Sequence, residues 1–139
     1  MNSLLGIGSN DPTNRSVGVC MVGSGGEGLV RLGFQRSAAI WDDIERIGIP
    51  GIQSVYCHPA AASGWGMTVV SIKQQYAGHI SQTLSATAQC PAGAYFTKWI
   101  VAVDEDVDPA DINQVLWALS TRANPVDDID IQRKTWSTG

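Results

Sequence analysis

Apolar residues change their spacing several times along this chain, and each change marks an element. Between residues 36 and 47, Ile40, Ile44 and Ile47 recur at helical spacing while Asp42, Asp43, Glu45 and Arg46 fall elsewhere. That stripe predicts an amphipathic helix stopped by Gly48 and Pro50. Residues 52–57 (IQSVYC) and 67–72 (MTVVSI) are short β-branched runs that predict strands, separated by the small-residue loop HPAAASGWG. Ile80, Leu84 and Ala88 supply the core stripe of a second helix over 78–89, ended by Cys90-Pro91. Residues 99–103 (WIVAV) are almost continuously apolar, the pattern of a strand covered on both faces.

A third helix is predicted over 109–120. Asp108 can cap it, Pro109 suits its first turn, and Asp111 sets negative charge at the positive end of the helix dipole. Ile112, Val115, Leu116 and Leu119 form its expected buried stripe. Residues 129–132 read as a last strand, and residues 17–22 as a short strand running into GSGGEG. The first sixteen residues are rich in Gly, Ser, Asn and Asp and show no period, as in a loop or arm. The chain therefore divides into a glycine-rich N-terminal arm, 1–34, and a domain, 35–139. The order α-β-β-α-β-α-β predicts a single α/β domain with helices packed on a mixed β-sheet of about four or five strands.

Composition narrows the partners. At 139 residues with 44% apolar content the chain fits one globular core. A net charge of −4 argues against nucleic acid and against an anionic membrane surface, since both need a basic footprint. No apolar run approaches the ~20 residues of a membrane span, and the opening MNSLLGIGSNDPTN lacks the basic and apolar regions of a signal peptide. Cys20, Cys57 and Cys90 are odd in number and widely spaced, which predicts reduced thiols and a cytoplasmic setting.

Several chemical motifs fail on inspection. Gly23, Gly25 and Gly28 satisfy G-x-G-x-x-G after an expected strand, but the next strand ends in Cys57-His58-Pro59 instead of the acidic residue that would hold a ribose. A flexible glycine loop is the plainer reading. Asp104, Asp106 and Asp108 have the alternate spacing that opens a calcium loop, yet Pro109 and Val115 stand where Gly and Glu are required. Capping and solvation account for these acids. His58, His79 and the cysteines do not assemble four zinc ligands, and neither a G-x-S-x-G elbow nor a Gly-Lys-Ser/Thr phosphate loop is present. Lys73 and Lys98 each flank a strongly apolar strand, where a lysine either snorkels to water or aims its charge at a bound anion.

Spaced motifs in one order carry a resemblance. They are Ile72-Lys73 through Tyr76-Ala77-Gly78-His79, then Tyr95-Phe96-Thr97-Lys98, then Val103-Asp104-Glu105-Asp106-Val107-Asp108-Pro109. Val115-Leu116-Trp117-Ala118, Thr121-Arg122 and Asn124-Pro125 complete the set. From about residue 36 onward the chain resembles the C-terminal domain of the UbiD family, decarboxylases that use prenylated FMN to add or remove CO2 on aromatic and α,β-unsaturated acids. The resemblance implies a domain that assembles dimers or larger homo-oligomers and closes over the substrate side of the cofactor pocket. It implies substrate contacts from Phe96, Lys98 and Thr138, with Lys73 a weaker candidate for cofactor binding and His79 for a pocket or interface.

The family's flavin domain, which carries the Mn²⁺ and K⁺ ligands, the cofactor phosphate site and the catalytic Glu-Arg-Glu set, has no counterpart in these residues. The resemblance therefore implies a fragment or small subunit that is inactive alone, holds no cofactor alone, and completes a flavin-binding domain or subunit acting on a small carboxylic acid. The competing expectation is a stand-alone α/β nucleotide-binding or regulatory module that uses the loop through Gly23 and Gly28.

Overall fold

The computed structural model describes residues 26–136, with side chains from residue 33 onward. The expected strand at 17–22, Gly23, Gly25 and Thr138 lie outside the described residues.

Helix α1 (Gly26–Ile47) begins ten residues ahead of the stripe that predicted it, so Gly28 falls in its first turn. Ile40 and Ile44 are fully buried, but Ile47 is exposed. The helix ends in a Schellman motif: Gly48 takes φ +93°, its N–H donates to Glu45 O at 2.9 Å, and the Ile49 N–H reaches Ile44 O at 3.4 Å. That reversal turns Ile49 into the core in place of Ile47. No neighbouring atom crowds Gly48, so its left-handed φ alone asks for glycine.

Strand β1 (Ile52–Cys57) pairs antiparallel with β2 (Met67–Ile72), and β2 pairs parallel with β3 (Trp99–Asp104), in the order β1-β2-β3. Register sets the two faces. Val55 opposite Val70, with Cys57, joins Ile40, Ile44 and Ile49 beneath α1. Val69 opposite Val101, with Val103, faces the other way, onto the last helix. β2 is buried along nearly its whole length as the central strand. β3 lies at the sheet edge, with Val101 and Val103 buried on one face, Ile100 and Ala102 half-buried on the other, and Trp99 exposed at its start.

Helix α2 (His79–Gln89) packs on the α1 side and is followed by the single turn α3 (Pro91–Ala94). Its buried line is His79, Thr83 and Thr87, one position off the expected Ile80, Leu84 and Ala88, which are half-buried. The two threonine hydroxyls donate to the carbonyls four residues back, each at 2.8 Å. With their polar atoms satisfied inside the helix, they bury about as readily as valine.

Helix α4 (Ile112–Thr121) is capped by Asp111, whose Oδ1 accepts from Asn113 N and Gln114 N. Asp108 serves the turn before it, accepting from Ala110 N at 2.9 Å. Val115 and Ala118 face the sheet, with Ile112 half-buried, whereas Leu116 and Leu119 point outward. This corrects the expected stripe: Val115 and Ala118 face in and share one core cluster with Val69, Val101 and Val103. Residues 129–132 form no strand. They lie on the surface, where Gln132 bonds Gln89 at 2.9 Å, so the described sheet has three strands. Among the described residues no helix is long and apolar enough to cross a membrane.

These placements separate two substitutions that the sequence would treat alike. Ile44→Ala should lower unfolding free energy by about 2–5 kcal/mol. Leu116→Ala, on the outer face of α4, should change it by only about 0.5 kcal/mol. Urea titration of both variants checks the assignment.

Candidate functional site

The segment between α2 and β3 carries the residues of interest, and its shape is set from a distance. Arg36 lies one turn ahead of Ile40 on the buried stripe of α1, and its guanidinium is sunk among backbone oxygens. Nε donates to Ala92 O at 3.1 Å, and Nη1 to Gly64 O at 2.8 Å and Trp65 O at 3.1 Å. Nη2 donates to Gly93 O at 3.3 Å, to Tyr95 O at 2.7 Å and to the Thr97 hydroxyl. Five N–H groups therefore serve six acceptors, and the head also lies over the Trp65 ring at 5.1 Å. Burial pushes the Arg36 pKa below its usual value, with Cys57 and Cys90 opposing the shift. Among the described residues no carboxylate forms an ion pair with it.

What this clamp holds is an aromatic wall. Tyr95 stands 5.5 Å from Trp65 and 4.5 Å from Phe96, Phe96 stands 6.0 Å from Trp65, and Trp136 reaches Tyr95 at 6.2 Å. Phe96 sits at φ +62°, a left-handed conformation that a bulky residue adopts only where its surroundings impose it. Close packing fixes the turn before it: a Cβ on Gly93 would lie 1.8 Å from Thr87 O. A shallow groove of about 500 Å³ runs beside the wall, between Gln35, Arg36 and Ala39 of α1 and Trp65, Pro91 and Tyr95. Trp65 Nε1 is buried there with no hydrogen-bond partner among the described residues.

The residues singled out from sequence do not all meet. Phe96 is half-buried in the wall, and Lys98 is exposed just before β3, where its N–H and that of Trp99 both donate to Gly66 O. Lys73 follows the other end of β2 and pairs with Glu105 at 3.4 Å. Because β2 and β3 are parallel with Met67 opposite Trp99, Lys73 and Lys98 lie at opposite ends of the sheet, roughly 20 Å apart for six residues of strand. His79 is a core residue: Nδ1 accepts from Gln75 N at 3.1 Å and Nε2 donates to Pro50 O at 2.9 Å, which fixes one neutral tautomer. His58 is likewise buried, bonded through Nε2 to Pro109 O at 2.6 Å.

The acidic turn after β3 is a structural clamp of a different kind. Arg122 grips Asp106 through two bonds of 2.8 and 2.7 Å and touches Asp104 at 2.9 Å. Its hydrogen bonds hold the Asp106 carboxyl below the usual carboxylate range. Arg36 was the residue that sequence reasoning missed. Its signal was present, since Arg36, Ile40 and Ile44 share one stripe, but its acceptors are distant backbone carbonyls that carry no mark in the sequence.

The depressed Asp106 pKa has a definite sign. A carboxyl with a lower pKa when folded contributes stability above about pH 4, and that contribution is lost as pH falls through the folded value. Asp106→Asn should therefore lower the thermal midpoint slightly at pH 7, less so in high salt because the pair is exposed. The two curves should converge once the pH has fallen below the lowered folded pKa of Asp106. Thermal melts across pH check this.

The chain matches the 3-octaprenyl-4-hydroxybenzoate carboxy-lyase C-terminal domain family over residues 30–138. Solved structures of UbiD-class enzymes share its fold. An evolved dimeric form of HmfF from Pelotomaculum thermopropionicum, in complex with prFMN, is 26% identical with a TM-score of 0.69, over 77% of this chain and 24% of that one. The vanillic acid decarboxylase of Sedimentibacter hydroxybenzoicus in open form is 27% identical with a TM-score of 0.63, over 73% and 21%. The 3,4-dihydroxybenzoic acid decarboxylase of Klebsiella pneumoniae is 30% identical with a TM-score of 0.62, also over 73% and 21%. This chain thus spans about a quarter or less of the enzymes it matches. With the match running from within α1 to beyond Trp136, the chain belongs to the 3-octaprenyl-4-hydroxybenzoate carboxy-lyase C-terminal domain family.

Proposed function

We propose that this chain is the substrate-side and oligomerisation domain of a UbiD-type decarboxylase for aromatic or α,β-unsaturated carboxylic acids, and that it acts only with a flavin-bearing domain or subunit. The observation that carries this reading is the wall of Trp65, Tyr95, Phe96 and Trp136, held open to one side by the Arg36 clamp. A planar acid fits such a surface: ring faces and edges orient it, and the apolar wall excludes water. Relatives that act on vanillic and 3,4-dihydroxybenzoic acids support the substrate class.

Within this role Phe96 packs against the substrate and Lys98 contacts a ring hydroxyl or carboxylate. Lys73, at the other end of the sheet, is left as a contact to the flavin-bearing body. The domain assembles as a homodimer or larger homo-oligomer in the cytoplasm.

The cofactor implied is prenylated FMN with Mn²⁺ and K⁺, the flavin being present in the HmfF complex. The described residues do not fit it. They contain no cluster of His, Cys, Asp or Glu that could hold a metal ion, and both imidazoles are bonded to backbone carbonyls. In this reading the cofactor grip belongs to the flavin-bearing body, and this chain orients the acid.

Purified chain mixed with prenylated FMN, Mn²⁺ and K⁺ should release no CO2 from vanillate, 3,4-dihydroxybenzoate or cinnamate above background. Grafted in place of the matched domain of the Klebsiella enzyme, it should restore turnover, and Lys98→Met should then lower kcat/KM at least tenfold, about 1.4 kcal/mol of transition-state stabilisation. Turnover by the chain alone, or an unchanged kcat/KM in the Lys98→Met graft, would remove the corresponding part of the proposal.

A further inference from the structure

Nη2 of Arg36 grips two residues that flank a third. It donates to Tyr95 O at 2.7 Å and to the Thr97 hydroxyl, so Phe96 stands between two points held by one nitrogen. A second pin lies just beyond, where the Lys98 and Trp99 N–H groups both donate to Gly66 O, at 3.1 and 3.0 Å. Ahead of this pin the chain turns with Phe96 at φ +62°.

Left-handed backbone gathers around the same arginine. Among the described residues four that are not glycine take positive φ: Ala62 (+50°), Ser63 (+58°), Phe96 (+62°) and Lys134 (+57°). Three of the four sit on the two loops that Arg36 grips, since Ala62 and Ser63 run directly into Gly64 and Trp65. Strain gathered on one guanidinium's acceptors points to that contact as what imposes it. The residue type at 96 adds an independent point. A turn that needed only its shape would carry glycine or asparagine there, which adopt positive φ at little cost. Phenylalanine is strained in that conformation, so its ring answers a need beyond the turn itself.

We infer that Arg36 and Thr97 are positioning residues: they hold Phe96 left-handed and thereby fix the direction in which the Phe96 ring and the Lys98 side chain leave the turn. The ring is set 4.5 Å from Tyr95 and 6.0 Å from Trp65, and Lys98 leaves two residues later beside the exposed start of β3. The consequence for orienting an acid rests on the decarboxylase reading. The claim about the backbone does not.

The test uses the full chain and reads the Phe96 backbone directly, because NMR scalar couplings across a residue report the sign of its φ. Thr97→Val removes the hydroxyl but keeps the branched shape, and Thr97→Ser keeps the hydroxyl. Residue 96 should show positive φ in the parent and in Thr97→Ser, and negative φ in Thr97→Val and in Arg36→Lys. Should Arg36→Lys fail to fold, Thr97→Val carries this arm. Phe96→Gly should melt at least about 2 °C above Phe96→Ala. At an ordinary position the order is reversed, because glycine loses more freedom on folding. In the Klebsiella graft, Thr97→Val should lower kcat/KM roughly tenfold and Thr97→Ser should restore it. Three results overturn the inference: positive φ kept in the clamp variants, alanine melting above glycine at 96, or a Thr97→Val graft as active as its parent. A graft without turnover counts against the decarboxylase reading alone, and the couplings and midpoints then decide the positioning role.

Discussion

A guanidinium buried without a carboxylate is costly unless oxygen atoms replace its water, and the arrangement of this domain follows from how Arg36 is solvated. Its acceptors come from two loops, Gly64-Trp65 and residues 92–97, which lie 28 to 61 positions further along the chain. Both loops must turn their carbonyls inward at once, so the arginine fixes the β1-β2 connection and the α2-β3 connection relative to α1. Hydrogen bonds to a charged donor contribute about 1.5–3 kcal/mol each, and a buried carbonyl left without a donor costs about 1–3 kcal/mol. The clamp is therefore cooperative, and partial loss is worse than a local gap. The strained Phe96 backbone and the close approach at Gly93 persist because this network holds the segment on both sides.

The rest of the domain is arranged around a central strand with two unlike faces. Beneath α1 and α2 the core mixes isoleucine with satisfied polar groups, His79, Thr83 and Thr87. On the other face the core is small, mostly valine, and α4 lies directly on it. The two faces meet at the ends of β3, where the aromatic wall begins at one end and the Arg122 clamp on Asp104 and Asp106 closes the other. The wall, where Trp65 Nε1 has no hydrogen-bond partner among the described residues, and the exposed Leu116, Trp117 and Leu119 of α4 leave aromatic and aliphatic surface open to solvent.

Legibility tracked how local each determinant was. The Ile40 and Ile44 stripe and the three strands of the sheet were readable, because helix and strand periods depend on neighbours a few residues away. Ile47 was misplaced because a Schellman turn handed its position to Ile49. The α2 stripe was read one residue off because threonine, counted as polar, buries well once its hydroxyl is bonded within the helix. For α4 the period was correct, but its apolar arc is broad, from Ala118 through Val115 and Leu119 to Leu116, so the pattern left the inward side unspecified, and the structure buries Val115 and Ala118 while Leu116 and Leu119 stay exposed. Residues 129–132 alternate like a strand but pair with none. At the site, Phe96 and Lys98 were reachable only through resemblance. Arg36 escaped notice because backbone carbonyls, unlike carboxylates, leave no sequence signature.

Amide hydrogen exchange on Arg36→Lys tests the central claim most directly, because lysine keeps the charge but lacks the planar fork of five donors. The protected amides to follow are Ala94, Lys98 and Trp99, which bond to Cys90 O and Gly66 O around the clamp. The account predicts that these three exchange at least tenfold faster in the variant while the amides pairing β1 with β2 keep their protection. Unchanged exchange at the three positions, or an increase no larger than that of the whole domain, would contradict it.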